Sequence, residues 1–95
     1  MSGGELVTKP VRFKGKKLAM NFSSSAAGGL RVEIQAADGK PVPGFALDDC
    51  PPIFGDSIER TVTWKYGGDV SSLAGKPVRV RFVLNDADLY SLKFE

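Results

Sequence analysis

The chain has 95 residues, 13 basic against 11 acidic side chains for a net charge of +2, one cysteine and no histidine. That length supports one domain with a single modest core and excludes a core plus a deep enclosed cleft. The basic residues are spread along the chain, which disfavours nucleic acid as the main partner, and no apolar run approaches the roughly 18 residues of a membrane span.

Met1-Ser2-Gly3-Gly4 reads as an artificial start or flexible linker, with no charged-then-apolar signal segment, and the domain runs from 5 to 95. Residues 6–11 are extended, and Pro10 places them on a sheet edge, where a missing N–H does no harm. Lys14, Lys16 and Lys17 surround Gly15 in a solvated turn. Leu18, Met20 and Phe22 alternate with Ala19 and Asn21, and a small-residue loop follows over 23–29. Leu30, Val32, Ile34 and Ala36 then alternate with Arg31, Glu33 and Gln35, a half-buried strand with a charged outer face that ends at the turn Asp38-Gly39.

Residues 48–57 are acidic and carry prolines and a glycine, so they read as a long surface loop of the kind that hosts function. Cys50 within it, beside Pro51 and Pro52, is a small buried filler: a lone thiol forms no intrachain disulfide or cysteine metal cluster, and a thiol nucleophile would normally need a histidine. Residues 58–66 form a strand with Ile58, Arg60, Val62, Trp64 and Tyr66 on one face and Glu59, Thr61, Thr63 and Lys65 on the other. Residues 69–73 make a single helical turn, with Asp69 as its cap and Gly75 just beyond it. Val78, Val80, Phe82 and Leu84 point one way and Arg79, Arg81 and Val83 the other. With the acidic turn 85–88 and the run LYSLKF, they predict a hairpin with one buried face.

Six to eight strands at regular turn spacing, with no sustained helical period, give an all-β fold, a two-sheet antiparallel β-sandwich or jelly roll. Phe22, Phe45, Trp64, Phe82 and Phe94 supply its large core aromatics.

The run RVEIQAADGKPVPGFALDDC (31–50), followed by IFGDSIERTVTWKYGGDVSSLAGKPVRVRFVLNDADLYSLKF (53–94), resembles a β-sandwich module found toward the C-terminus of bacterial, planctomycete-like proteins similar to glycoside hydrolases. Those proteins carry a five-bladed propeller of the fructosidase and arabinosidase type ahead of the module. The resemblance extends to VTKPVRFKGKKLAMNFSSSA (7–26) and is carried by Asp49-Cys50, Gly55-Asp56, Trp64, the run from Asp69 to Arg79, and residues 86–91. It implies an accessory domain of a carbohydrate-active enzyme, secreted or on the cell surface as part of a larger bacterial protein, with polysaccharide or oligosaccharide and an associated hydrolase domain as partners. It brings no catalytic set with it.

Asp48, Asp49, Asp56, Asp86 and Asp88 contain enough carboxylates for a glycosidase pair if their loops converge. Carboxylates in sandwich loops more often cap turns, so no enzyme activity is expected. The same aspartates make structural calcium a candidate cofactor, built from separate loops. Sugar recognition needs an apolar planar surface beside polar groups. One candidate site joins Phe54 and Asp56 of the long loop to Asp86, Asp88 and Tyr90. A second is the outer face of Arg31, Glu33 and Gln35 beside Arg79 and Arg81, residues that equally suit cross-strand salt bridges on a solvated face. The resulting expectation is a non-catalytic carbohydrate-binding module; the alternative is a structural domain that braces a propeller without seeing glycan. Exposed Phe54 and Tyr90 rings around a polar groove favour the first, and buried rings under a flat apolar patch the second.

Overall fold

The computed structural model describes residues 3–95, apart from the side chains of residues 26–27 and 56–59. The fold is all-β and antiparallel. Strands β1 (Gly3–Val7), β2 (Leu18–Ala36), β3 (Asp56–Thr61) and β4 (Val78–Phe94) form one hydrogen-bonded sheet in the order β1-β4-β2-β3. Of the four residues read as a linker, Gly3 and Gly4 open β1 opposite Asn85 and Leu84, while Met1 and Ser2 lie outside the described residues.

The two central strands decide the shape. With 19 and 17 residues, straight strands would reach about 55–60 Å at roughly 3.3 Å per residue. The whole molecule is 35 Å in its longest dimension, so both strands must bend sharply. They do so together, at one corner. Ser24 pairs with Ala87 and Gly29 with Asn85, which sets the four β2 residues 25–28 against Asp86 alone. Asp86 takes a left-handed backbone (φ 49°), a conformation that aspartate tolerates better than most residues. A Cβ on Gly28 would run into the Asn85 carbonyl oxygen and lie 2.7 Å from that of Asp86, so only glycine fits. A second bulge leaves Tyr90 as the extra residue between the pairs Asn21–Ser91 and Phe22–Leu89.

This overturns two expectations. Residues 85–88 are not a hairpin turn and 23–29 not a loop, because the runs on either side of each segment pair with the other long strand rather than with each other. Turn chemistry on two facing strands has made a shared corner. The described residues accordingly hold four strands and isolated bridges rather than six to eight separate strands.

The alternation read from the sequence is reproduced in the core. Val78, Val80, Phe82 and Leu84 are buried from β4, and Leu18, Met20, Phe22, Leu30, Val32 and Ile34 from β2. Trp64 is a core residue whose Nε1–H donates to the Val32 carbonyl at 2.8 Å, and its ring meets Phe45 edge-on at 5.2 Å. Phe13 stacks on Phe94 with centroids 3.9 Å apart. The strand expected over 58–66 lies instead at Asp56–Thr61, after which Trp64 and Gly67 close a tight turn. Tyr66, read as sharing a face with the buried Trp64, sits at the tip of that turn and is 78% exposed; the side chain of Ile58 lies outside the described residues.

The turn at Asp38-Gly39 sends the chain back along the second half of β2. The N–H of Val42 donates to Ile34, that of Ile34 to Phe45, and Leu30 and Ile53 exchange both bonds. The long loop is therefore pinned to the sheet at its buried members, Cys50 and Ile53. Burial pushes the Cys50 thiol up, and its sulfur accepts the Val32 N–H at 3.4 Å. The single turn near 69–73 is a 3-10 turn at Ser71–Leu73, with the Ser71 N–H donating to the Asp69 carboxylate at 2.8 Å.

Candidate functional site

Paired residues of neighbouring strands share a face, so the outer face between β2 and β4 can be followed row by row away from the Asp38-Gly39 turn. In the first row Gln35 faces Arg79. Arg79 is occupied with backbone: Nε donates to the Ala37 carbonyl at 3.0 Å and Nη1 to that of Thr8 at 3.4 Å. In the second row Glu33 faces Arg81. The Arg81 guanidinium reaches Glu33 Oε2 at 3.3 Å through Nη1 and pairs with Glu5 of β1 through Nε.

Glu33 and Gln35 were expected on a solvated face, yet both are buried, Glu33 at 3% exposure. The 3-10 turn Leu47–Asp49 folds over them. The Leu47 N–H donates to Glu33 Oε1 at 3.1 Å, and Gln35 Nε2 donates to Oε2 at 2.8 Å. Burial pushes the Glu33 carboxyl up, but the bonds from Gln35, the Leu47 N–H and Arg81 outweigh it and hold the group below its ordinary range. Arg81 is correspondingly held above its own, chiefly by Glu5.

The third row differs. Arg31 faces Val83, whose other neighbour is Glu5, so an apolar residue separates the arginine from the nearest cross-strand carboxylate. Arg31 is exposed and has no hydrogen bond or ion pair among the described residues. On its other side the antiparallel pairing of Leu30 with Ile53 brings Pro52 alongside. A groove of about 360 Å³ opens here, with Gly28, Gly29 and Val83 below, Leu47 and Pro52 as an apolar wall, and Asn85 across from them. One row further on, a Cβ on Gly29 would lie 3.7 Å from Phe54 Cβ, so Phe54, a residue 59% exposed, stands beside the glycine floor of the groove.

Past the corner lie the other sequence candidates. Asp88 and Asp56 occupy register positions on either side of Ser23, so the three form a row across β4, β2 and β3; the side chain of Asp56 lies outside the described residues. Tyr90 is 68% exposed, and its hydroxyl lies 2.9 Å from Ser23 Oγ. Ser24 holds Gly55 through two bonds, one from its own N–H to the Gly55 carbonyl at 3.0 Å and one from the Gly55 N–H to its Oγ at 2.8 Å. The structure thus gathers Phe54, the backbone of Asp56, Asp88 and Tyr90 around Ser23-Ser24. It puts Asp86 at the corner and keeps away from them both Arg79, bonded to backbone, and Arg81, paired with Glu5 and Glu33.

Among the described residues, no three of His, Cys, Asp and Glu gather to hold a metal ion. Several loop carboxylates cap turns instead: Asp38 accepts the Lys40 N–H at 3.0 Å and Asp49 that of Ala46 at 3.3 Å. The groove at Gly28, Gly29 and Asn85 was missed from the sequence. Its one local signal is the glycine pair Gly28-Gly29, which lies within β2 and leaves the sheet without side chains there.

No family model matches the chain, and no curated protein or solved structure matches it. No helix among the described residues is long and apolar enough to cross a membrane.

Proposed function

We propose that this chain is a non-catalytic, carbohydrate-binding accessory module that holds an associated hydrolase domain near polysaccharide. In this reading the two arms of the bent sheet serve as the layers of a sandwich, and the larger protein works outside the cell. The observation that carries it is the exposure of two aromatic rings, Phe54 and Tyr90, at the rim of a polar surface. Tyr90 bonds to the Ser23 hydroxyl, and Phe54 directly precedes Gly55, which is bonded to Ser24. Exposed rings offer the planar apolar face on which a sugar ring stacks, and the neighbouring polar groups meet its hydroxyls.

The docking alternative has one observation in its favour. Leu6, Val7 and Val11 are exposed along the β1 edge, where a bracing partner would bury them.

Retention on insoluble polysaccharides and a glycan array, with and without calcium, tests the proposal. The wild type binds in a saturable way, and Phe54→Ala and Tyr90→Ala each weaken binding roughly tenfold, the equivalent of about 1.4 kcal/mol. A folded protein that is retained on no neutral or acidic polysaccharide refutes the glycan reading in favour of docking.

A further inference from the structure

We infer that the groove beside Phe54 takes an anionic substituent of a sugar, a carboxylate or a sulfate ester, on the guanidinium of Arg31. The inference rests on the glycan-binding reading and adds the chemical class of the ligand. Three arginines lie on the outer face of β2 and β4, and two are already committed, Arg79 to backbone carbonyls and Arg81 to Glu5 and Glu33. Arg31 is the remaining one, and among the described residues it is the single charged side chain lining the groove.

The sequence context leaves it without an ion pair among the described residues. Glu5 sits in the same row as Arg31, but Val83 lies between them, and the Glu5 carboxylate turns diagonally to Arg81. Among the described residues no carboxylate lines the groove on the opposite side, where Leu47 and Pro52 form the wall. An arginine fork presents parallel N–H donors that match the two oxygens of a carboxylate or sulfate. The apolar wall lowers the local dielectric, which strengthens that contact relative to one in open water.

The remaining parts fit a sugar rather than a free anion. The volume of about 360 Å³ is at the small end of ligand sites, which run from about 300 to 1,000 Å³. Asn85 supplies an amide for hydroxyls, and Phe54, one row along, supplies a stacking surface for the ring that carries the charge or for its neighbour. Gly28 and Gly29 keep the floor clear, since any side chain at position 29 would meet the Ile53 carbonyl oxygen at 3.0 Å.

The test titrates ¹⁵N-labelled protein with oligosaccharides of galacturonate and of glucuronate, their methyl esters, and a sulfated galactan oligosaccharide. It is repeated with Arg31→Gln, while neutral polysaccharides report on the glycan reading alone. At least one charged ligand should bind with shifts centred on Gly29, Arg31 and Val83. Removing the charge from the ligand or from position 31 should each weaken binding about tenfold or more, as for loss of a charge-assisted hydrogen bond, and the two losses should not add. Preference for the uronates over the sulfated ligand, or the reverse, identifies which oxyanion the groove takes. Binding that ignores the ligand's charge or survives Arg31→Gln unchanged overturns the anionic subsite and leaves the glycan reading standing. Binding to neutral polysaccharide alone does the same, and binding to no glycan at all overturns both.

Discussion

Two stretches of one sheet face carry the same residue types and have opposite fates. Near the Asp38-Gly39 turn, Arg81 is locked between Glu33 and Glu5 under the Leu47–Asp49 turn, and Arg79 is spent on backbone. Two residues along β2, Arg31 has Val83 and Pro52 beside it and no hydrogen bond or ion pair among the described residues. An arginine on an outer face is thus neither structural nor functional by type. Its cross-strand neighbour decides, because a carboxylate opposite neutralises it and a valine leaves its charge to solvent or ligand.

The comparison breaks most completely at the corner that bends both strands. Gly28→Ala forces a Cβ onto the backbone oxygens of Asn85 and Asp86, neither of which is a flexible side-chain end. We expect a loss of about 3 kcal/mol or more in urea unfolding, comparable with severe overpacking. A change below about 1 kcal/mol would mean that the corner adjusts freely.

The clamped end comes next. Arg81→Met leaves the Glu33 carboxylate buried with only Gln35 and the Leu47 N–H as partners. Removing one member of a fully buried ion pair costs about 3–5 kcal/mol. Because Arg81 keeps a side-chain exposure of 30%, about 2 kcal/mol is the expectation here.

The same end should carry a pH signature. The folded-state carboxyl of Glu33 lies below its ordinary 4.5. Its contribution is therefore complete above the unfolded value and is lost as pH falls through the folded one. The stability gap between wild type and Glu33→Gln should be constant from neutral pH down to about 5.5 and narrow progressively below that. A gap that widened on acidification would show the carboxyl to be raised instead.

The smallest effect on stability belongs to the open end. Arg31→Met should change unfolding free energy by less than about 0.5 kcal/mol, as for surface sites without a structural partner. The contrast with Arg81→Met is the sharpest form of the comparison, and equal losses for the two substitutions would erase it.

Much of the core was legible in advance. The period-two run of Val78, Val80, Phe82 and Leu84 and that of Leu30, Val32 and Ile34 are reproduced residue by residue, as is Trp64 as core. The exposure of Phe54 follows from its place among prolines and glycine in a long loop. The burial of Glu33 and Gln35 was not legible, because the segment that covers them folds back from more than ten positions away and pins itself through backbone bonds that any sequence can make. The segment 85–88 was misread for a related reason. Asn and Asp report that the chain turns locally, and whether the turn reverses one strand or bends two together depends on which strand lies opposite.

The division has a physical basis. Alternation, the single cysteine and the near-balanced charge are local or additive properties, so the sequence by itself determined an all-β chain with a one-sided core. Pairing register is non-local: it depends on the closure of long loops and on corner geometry set jointly by Gly28 and Asp86. Only the tertiary structure could decide that Glu33 meets Arg81 and Val83 meets Arg31, and with that, which arginine is paired across the sheet and which is left exposed.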